Sequence, residues 1–201
     1  MIISPATSYK KATQALNFVA SKKGGTVNKM KAIKLIFLAD RLHLRKYGRP
    51  IIGDTYWAMK LGPVGSLALN IAGLDRAPAD ALSYARKYIK PTNDKKRHFS
   101  SQKPVDMNVF SKTDVECLEA VYEKFSDKDQ FELKDITHQY PEWIKHKKEL
   151  LAGKKRVRMD YDDFFTEDSR SDELFAQNKL ELSMAKESFA EAQEVSAFFA
   201  K

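Results

Sequence analysis

Apolar residues recur at helical spacing over two stretches near the start of the chain. Residues 8–22 form the first stretch, which a pair of glycines ends. A second helix is predicted with Thr26 as its N-cap and with its end at Gly48. Because apolar residues cover most of the circumference of this second helix, we expect it to lie at the centre of the fold.

The segment GRPIIGDTYWAMKLGPVG, residues 48–65, interrupts the helical pattern. It holds four of the chain's eight glycines and two of its seven prolines. Between these turn-forming residues, positions 55–61 alternate in the way that a half-buried strand does. Pro63 suits the first turn of a new helix. The segment therefore predicts a helix–turn–strand–turn–helix crossing.

Two strand-like runs, KYIK and KRHFSS, lie between residues 86 and 107, on either side of a polar turn at 91–94. We expect these runs to share one small antiparallel sheet with residues 55–61. Helical patterns dominate elsewhere. The fold class predicted is therefore mainly α (α+β): a helical domain with a small antiparallel β-sheet and a long C-terminal helix.

Helix-start signals return in the second half of the chain. Residues 111–114 and 129–132 each match a capping box, in which a side chain at either end of a four-residue unit bonds the backbone of the other. Each box precedes apolar residues at helical spacing. A further helix is expected over 141–153, since it begins with proline and ends with glycine.

We predict three parts in the chain: a helical domain at 1–153, a linker at 154–170 and an acidic amphipathic helix at 171–201. The linker changes from the basic KKRVR to the acidic and aromatic DYDDFF. Two interpretations of the terminal helix stay open, namely docking onto its own domain and binding a partner or a second copy. Its apolar seam follows steps of three and four residues and consists of Phe175, Asn178, Leu182, Ala185, Phe189, Ala192, Ser196 and Phe199.

Composition narrows the class of protein. With 201 residues and 43% apolar residues, the chain is long and apolar enough to bury a core. Its longest apolar run, residues 35–39, is far shorter than the roughly 20 residues that a membrane span needs. The N-terminus does not resemble a secretory signal, and the single cysteine excludes an internal disulfide. We expect a cytoplasmic protein with no membrane partner.

The charge is distributed unevenly along the chain. Residues 1–110 carry 20 Lys and Arg against 6 Asp and Glu, whereas residues 111–201 carry 15 against 21. A basic half of this kind can attract the chain's own acidic half, an acidic protein or a nucleic acid. Nucleic-acid binding by a regulatory protein is therefore kept as the alternative function.

The motifs of common enzymes are missing from the sequence. GRPIIGDT comes one residue short of a phosphate-binding loop, but Asp54 stands where that loop has its lysine and would repel a phosphate. Cys117 lies within an amphipathic helix and is expected to be a small buried apolar residue. We therefore predict no catalysis, no cofactor and no metal.

Asp40 and His43 are polar residues on an otherwise apolar arc of the second helix. A spacing of three allows them to touch. They fit either a metal or acid–base pair or, as we favour, a hydrogen-bonded link within the core, to one another or to a crossing segment. His138 and Trp143 are interpreted in the same way, as architecture.

Residues 30–66, MKAIKLIFLADRLHLRKYGRPIIGDTYWAMKLGPVGS, closely resemble the core of the Panacea antitoxin domain, the SocA-like family that includes phage-associated GepA-like proteins. With the later series of Leu118, Leu133, His138 and Trp143, the resemblance spans about residues 8–150. The motif residues to which we give a structural role are Lys34, Asp40, His43, Tyr47, Gly48, Pro50, Asp54, Gly62, His138 and Trp143.

This resemblance implies an antitoxin that neutralises a toxin from a neighbouring gene by direct contact. Some relatives hand the toxin to a cellular protease as adaptors, so a protease is a second expected partner. The apolar seam of the C-terminal helix, which lies outside this resemblance, makes a homodimer through that helix a third. For Trp57, core packing beneath the sheet stays open as the alternative to contact with the toxin. The residues expected to bind the partner are Tyr56, Trp57, Lys60, Pro63 and Val64.

Overall fold

The computed structural model describes residues 5–92, 97–167 and 172–199, with side chains from residue 7 onward. Its helices are α1 (Pro5–Lys22), α2 (Lys29–Tyr47), α3 (Ser66–Gly73), α4 (Ala79–Ala85), α5 (Lys112–Phe125), α6 (Gln130–Thr137), α7 (Pro141–Ile144), α8 (Lys147–Leu151) and α9 (Lys179–Phe199). Its strands are β1 (Thr26–Asn28), β2 (Tyr56–Met59), β3 (Gly62–Gly65), β4 (Ile89–Pro91), β5 (His98–Ser101) and β6 (Arg156–Arg158). Within these ranges, none of the helices is both long and apolar enough to cross a lipid bilayer.

Helix α2 is the central element of a mainly α structure with small β-sheets, as the sequence predicts. Its side chains are buried without interruption from Lys31 to Arg45, and it packs against α1, α5, α6 and α9. The prediction of Thr26 as its N-cap is wrong. Thr26 lies in β1, and the side chain of Asn28 accepts a hydrogen bond from the Lys31 amide instead. The helix ends, as predicted, at Gly48, which has a φ of 64°.

The strands form two separate antiparallel sheets, with the orders β1-β5-β4 and β3-β2-β6. The prediction that residues 55–61 share a sheet with the runs at 86–107 is therefore wrong. Strand β2 already has a neighbour on each side, β3 and β6, so neither side is left for β4 or β5. Of the polar turn predicted at 91–94, positions 93 and 94 lie outside the described residues.

Residues 56–65 form a tight hairpin where the sequence predicts one strand followed by a helix. Lys60 and Leu61 make the turn, and Met59 pairs with Gly62. Pro63 therefore lies in an outer strand, where its lack of an N–H is tolerated. The helix that was predicted to begin at Pro63 begins at Ser66 instead.

The two capping boxes are confirmed at the starts of α5 and α6, with reciprocal bonds between side chain and backbone in both. The single helix predicted over 141–153 is divided into α7 and α8. Residues 154–167 of the predicted linker contribute β6 and a 3₁₀ turn, Tyr161–Phe165, whose last two phenylalanines are buried. Through Phe164 and Phe165 these residues pack into the hydrophobic core. Residues 168–170 lie outside the described part.

The C-terminal helix α9 begins at Lys179, later than predicted, because Phe175 lies in a separate 3₁₀ turn. Its first half docks onto its own domain through Leu182, Ala185 and Phe189, which are buried. The ring of Phe189 contacts that of Phe165 at 5.7 Å between centroids. Beyond Phe189 the large apolar side chains of α9, those of Val195, Phe198 and Phe199, are exposed.

Candidate functional site

Asp40 fixes the loop that follows α2. Its Oδ1 accepts hydrogen bonds from the amides of Ile51 and Ile52 at 2.8 and 2.9 Å, and its Oδ2 accepts one from the Tyr56 hydroxyl at 2.9 Å. The carboxyl group is fully buried, and this burial raises its pKa to about 7. Asp40 is thus a core group whose bonds determine the course of residues 51–56.

His43 binds the same loop from the next turn of α2. Its Nδ1 lies 2.7 Å from the carbonyl oxygen of Arg49, and its Nε2 lies 2.9 Å from Thr113 Oγ1. Burial lowers the pKa of His43 to about 4, so the ring is neutral near pH 7. Because a carbonyl oxygen only accepts, Nδ1 carries the proton and Nε2 accepts from the Thr113 hydroxyl. His43 and Asp40 therefore bond to crossing segments and not to each other.

Asp54 caps the N-terminus of α3, although it precedes the capped amides by 13 and 14 residues. Its two carboxylate oxygens accept from the amides of Leu67 and Ala68 at 2.8 and 2.9 Å, in the first turn of α3. The residue at the N-cap position, Gly65, has no side chain to do this, and a Cβ there would collide with the Asp54 carboxylate. Burial raises the pKa of Asp54 to about 6. Asp54, which stands where a phosphate-binding loop has its lysine, thus serves to cap α3.

Lys34 holds the other side of the hairpin. Its side chain is buried, and Nζ donates to the carbonyl oxygen of Pro63 at 2.8 Å. This desolvation lowers the pKa of Lys34 to about 7. Gly62 permits the approach, since a Cβ at that residue would lie 2.5 Å from the Lys34 amine. Asp40, Asp54 and Lys34 together make the β2–β3 hairpin a rigid projection from α2.

An apolar groove opens between this hairpin and the first turns of α2. Its volume is about 440 Å³. We call it the hairpin groove, and its lining consists of Lys29, Met30, Ile33, Lys34, Met59, Lys60, Leu61, Val64, Leu69 and Lys155. Six of these ten side chains are apolar and four are lysines, and none carries a carboxylate. The groove can therefore bury apolar side chains while attracting negative charge around them.

A second depression, of about 680 Å³, adjoins the groove and shares Lys60 and Lys155 with it. At its base the rings of His138 and Trp143 stack with centroids 3.6 Å apart. Trp143 Nε1 donates to the Met59 carbonyl at 3.1 Å, which ties α7 to the hairpin. Burial lowers the pKa of His138 to about 4. The remaining lining residues are Lys147, Leu150, Leu151, Gly153 and Lys154.

The five predicted partner-binding residues divide into two groups. Tyr56 and Pro63 are buried, so their side chains do not form part of the surface. Lys60 is exposed and Val64 is half-buried, and both line the hairpin groove. Trp57 is half-buried beneath the Arg156 guanidinium, which lies 4.4 Å from its ring centroid. Trp57 therefore presents a surface that Arg156 partly covers.

Three further motif residues, Tyr47, Gly48 and Pro50, lie outside the groove, at the end of α2 and in the loop that follows it. Tyr47 packs its ring on His43 at 4.7 Å. Gly48 lies against the backbone of α9, where a Cβ would come within 2.5 Å of the Ala185 carbonyl oxygen. Pro50 is half-buried within the loop that Asp40 and His43 fix. These residues lie at the C-terminal end of α2 and in the loop that leads from it toward the hairpin.

Sequence reasoning missed much of the groove lining. Met30 and Ile33 follow the apolar pattern of α2, but nothing in that pattern distinguishes an open face from a buried one. Leu69 belongs to a helix whose first turn was assigned wrongly. Lys155 lies in the predicted linker and reaches the groove because β6 pairs with β2. Only the alternation at residues 55–61, which includes Met59 and Leu61, gave a signal for this surface.

Residues 33–144, more than half of the chain, match the family model described as Antitoxin SocA-like, Panacea domain. The matched range includes most of α2, the loop held by Asp40 and His43, the β2–β3 hairpin and the His138–Trp143 stack. Lys29, Met30 and Lys155 of the groove lie outside it. No curated protein and no solved structure matches the chain.

Proposed function

The chain belongs to the SocA-like Panacea antitoxin family, and we propose that it neutralises a cognate protein toxin by direct contact at the hairpin groove. Membership in this family indicates a role related to toxin–antitoxin systems. The observation that carries the finer proposal is the groove itself, which is an open apolar surface on the hairpin of the family domain. The protein is proposed to act in the cytoplasm without catalysing a reaction.

The chemistry of the groove suits a polypeptide segment. Side chains such as Met59, Leu61 and Val64 offer apolar area, and methionine adapts its shape to different partners. Buried apolar contacts surrounded by polar ones are the usual arrangement of a protein interface. Because Asp40, Asp54 and Lys34 hold the hairpin in place, little conformational entropy is lost when a partner binds.

We assign different roles to the residues that the family motif contains. Lys60 and Val64 are proposed to contact the toxin, with Trp57 at the border of the contact beside Arg156. Tyr56 and Pro63 are proposed as positioning residues, since their side chains are buried while their bonds fix the hairpin. Delivery of the toxin to a cellular protease is a second stage that the same contact would allow.

Nucleic-acid binding remains the alternative, because a cluster of cations lies beside the groove. Lys147, Lys154, Lys155, Arg156 and Arg158 are all exposed. Binding of RNA or DNA by such a surface would weaken steeply with salt, since each phosphate contact releases counterions. Affinity for nucleic acid that falls at least tenfold between 50 and 200 mM salt, on the order expected for several phosphate contacts, would favour this alternative.

The test is co-expression with the toxin from the adjacent reading frame. A Leu61→Asp/Val64→Asp variant places two charges in the groove and should lose protection, with survival falling at least tenfold. Phe131→Asp is the matched control, because Phe131 is an exposed apolar residue on α6 that does not line the groove. The Trp57→Ala/Lys60→Ala variant should weaken protection to a smaller extent.

Two further measurements complete the experiment. Thermal unfolding followed by circular dichroism must show that the groove variant still folds cooperatively. Toxin abundance, followed by immunoblot, separates masking from degradation, since only an adaptor lowers it. Full protection by a folded Leu61→Asp/Val64→Asp protein would overturn the assignment of the groove.

A further inference from the structure

The distal segment of α9, residues 190–199, is an amphipathic helix end in which no side chain is buried. The last buried residue of α9 is Phe189. Beyond it, Val195, Phe198 and Phe199 are 53%, 74% and 77% exposed, and the two phenylalanine rings contact only each other among the described rings. Apolar side chains clustered in this way on a soluble protein mark a contact surface.

This segment is also acidic. Residues 190–199 include two glutamates and no lysine or arginine. Glu191 precedes Val195 by four residues and Glu194 precedes Phe198 by four, so they lie on the same side of the helix. Neither glutamate forms an ion pair with the described residues. The distal segment therefore presents apolar groups with carboxylates beside them.

The hairpin groove has the complementary chemistry. Lys29, Lys60 and Lys155 line it and form no ion pair with any described residue. The amine of Lys34 lies at its base, with the Pro63 carbonyl as its hydrogen-bond acceptor. An acidic helix end with two phenylalanines would place its rings on Ile33 and Leu61 and its carboxylates near the lysines.

The distal segment does not enter the groove of its own chain. None of the residues that line the groove belongs to α9, and Val195, Phe198 and Phe199 are exposed. Helix α9 continues without a break from Lys179 to Phe199, and Ala185 within it is fixed against Gly48. Its end therefore cannot fold back onto Met30 and Ile33 without breaking the helix. The groove that this segment enters must belong to another copy.

We propose that, when no toxin is bound, the hairpin groove of each chain holds the distal segment of α9 from a second copy, in a reciprocal dimer. A two-fold axis relates the two contacts, as in most soluble homodimers, so each chain gives one helix end and receives one. This mode of binding is an amphipathic helix in an apolar groove. The proposal concerns the free protein and does not depend on the identity or the existence of a toxin.

Sedimentation velocity of the full chain at increasing concentration provides the test. The wild type should form a dimer. Lys60→Glu/Lys155→Glu and Glu191→Lys/Glu194→Lys should each raise the dimer dissociation constant at least tenfold, because like charges then face each other. A chain with all four substitutions should recover the dimer. Exchange of the exposed pair Lys112 and Glu116, as Lys112→Glu/Glu116→Lys, is the matched control and should leave the dimer unchanged.

The remaining outcomes are equally decisive. A wild type that stays monomeric, a dimer that neither reversal weakens, or a fourfold variant that remains monomeric although folded would each overturn the proposal. A Phe198→Ser/Phe199→Ser variant tests the same contact without a change of charge. This variant should also be monomeric. Because toxin protection is measured separately by survival, a failure of the dimer and a failure of the antitoxin proposal are distinguished.

Discussion

The hydroxyl of Tyr56 donates to Asp40 at 2.9 Å in a fully buried contact that joins the first strand of the hairpin to the central helix. The other oxygen of Asp40 accepts from two successive backbone amides. One carboxylate thus bonds a helix, a loop and a strand together. Tyr56 is in this way a support for the proposed contact surface and not a part of it.

Tyr56→Phe is therefore expected to destabilise the fold. Removal of the hydroxyl leaves an oxygen of Asp40 buried without its donor, which costs about 1–3 kcal/mol of the free energy of unfolding. Tyr122→Phe is the control, since Tyr122 is half-buried and its hydroxyl bonds to no described residue; about 0.5 kcal/mol or less is expected there. Urea unfolding measures both. Equal stabilities of the two variants would refute the role of the Tyr56–Asp40 bond.

Lys34 should make stability depend on pH in the alkaline range. Burial lowers its pKa from 10.5 to about 7 in the folded state, so between these values the unfolded chain binds more protons. The contribution of Lys34 to stability therefore rises with pH from about 7 to 10.5 and is constant below and above. Lys34→Met removes this dependence, and its advantage over the wild type should be larger at pH 7 than at pH 9.

Urea unfolding at the two pH values gives this difference. Lys60→Met is the matched control, because Lys60 is an exposed lysine of the same groove, and it shows whether loss of a solvated lysine at this surface alone produces the difference. If the Lys34→Met protein kept the same difference from the wild type at pH 7 and pH 9, the lysine would be charged in the folded state.

Gly48→Ala is expected to loosen the C-terminal helix. The residue has a φ of 64°, and a Cβ would lie 2.5 Å from the Ala185 carbonyl oxygen and 2.9 Å from Ser188 Cβ. Gly24→Ala is the matched control, since Gly24 has a φ of 85° and its Cβ would meet nothing within 4 Å. Both variants pay the conformational cost of about 1 kcal/mol, and only Gly48→Ala also displaces α9.

Limited proteolysis should reveal the difference. Cleavage between residues 176 and 189 should become faster in Gly48→Ala than in Gly24→Ala, with the body of the protein resistant in both. Identical cleavage rates would show that the close approach of α9 to Gly48 does not hold the helix in place.

Glu142→Gln should be among the most destabilising substitutions. Arg41 Nε donates to Glu142 Oε1 at 2.7 Å, with both side chains fully buried. Removal of the carboxylate charge leaves a buried guanidinium without its counter-ion, at a cost of about 3–5 kcal/mol. The Arg41→Met/Glu142→Leu variant removes both charges and should recover most of that loss. Chemical denaturation of Arg41→Met, Glu142→Leu and the double variant completes the cycle, and additive effects would contradict the coupling.

Local signals in the sequence predicted much of the helical part. Capping boxes gave the starts of α5 and α6, and a glycine with positive φ gave the end of α2. These signals succeed because the bonds that they describe lie within four residues. The crowding of glycine and proline likewise located the turn-rich segment that becomes the hairpin.

Contacts between residues that are far apart in the sequence explain the predictions that were wrong. The turn at Lys60 and Leu61 is stabilised by Lys34, 29 residues before Pro63, and no local pattern shows this bond. Asp54 caps α3 from 13 and 14 residues away, so the preference of proline for the first turn gave the wrong helix start. The pairing of β2 with β6 spans about a hundred residues and brings Lys155 to the groove. For the same reason the groove could be predicted only in part.

The pairing of β6 with β2 determines how far the chain can be shortened at its C-terminal end. Strand β6, at Arg156–Arg158, lies beyond the last residue that the family model matches. A chain cut after residue 144 would leave the N–H and C=O groups of β2 open along one edge. Unprotected edges of this kind invite intermolecular pairing and aggregation. The smallest fragment of this protein that resists aggregation must therefore extend past residue 144, through at least the 3₁₀ turn that ends at Phe165.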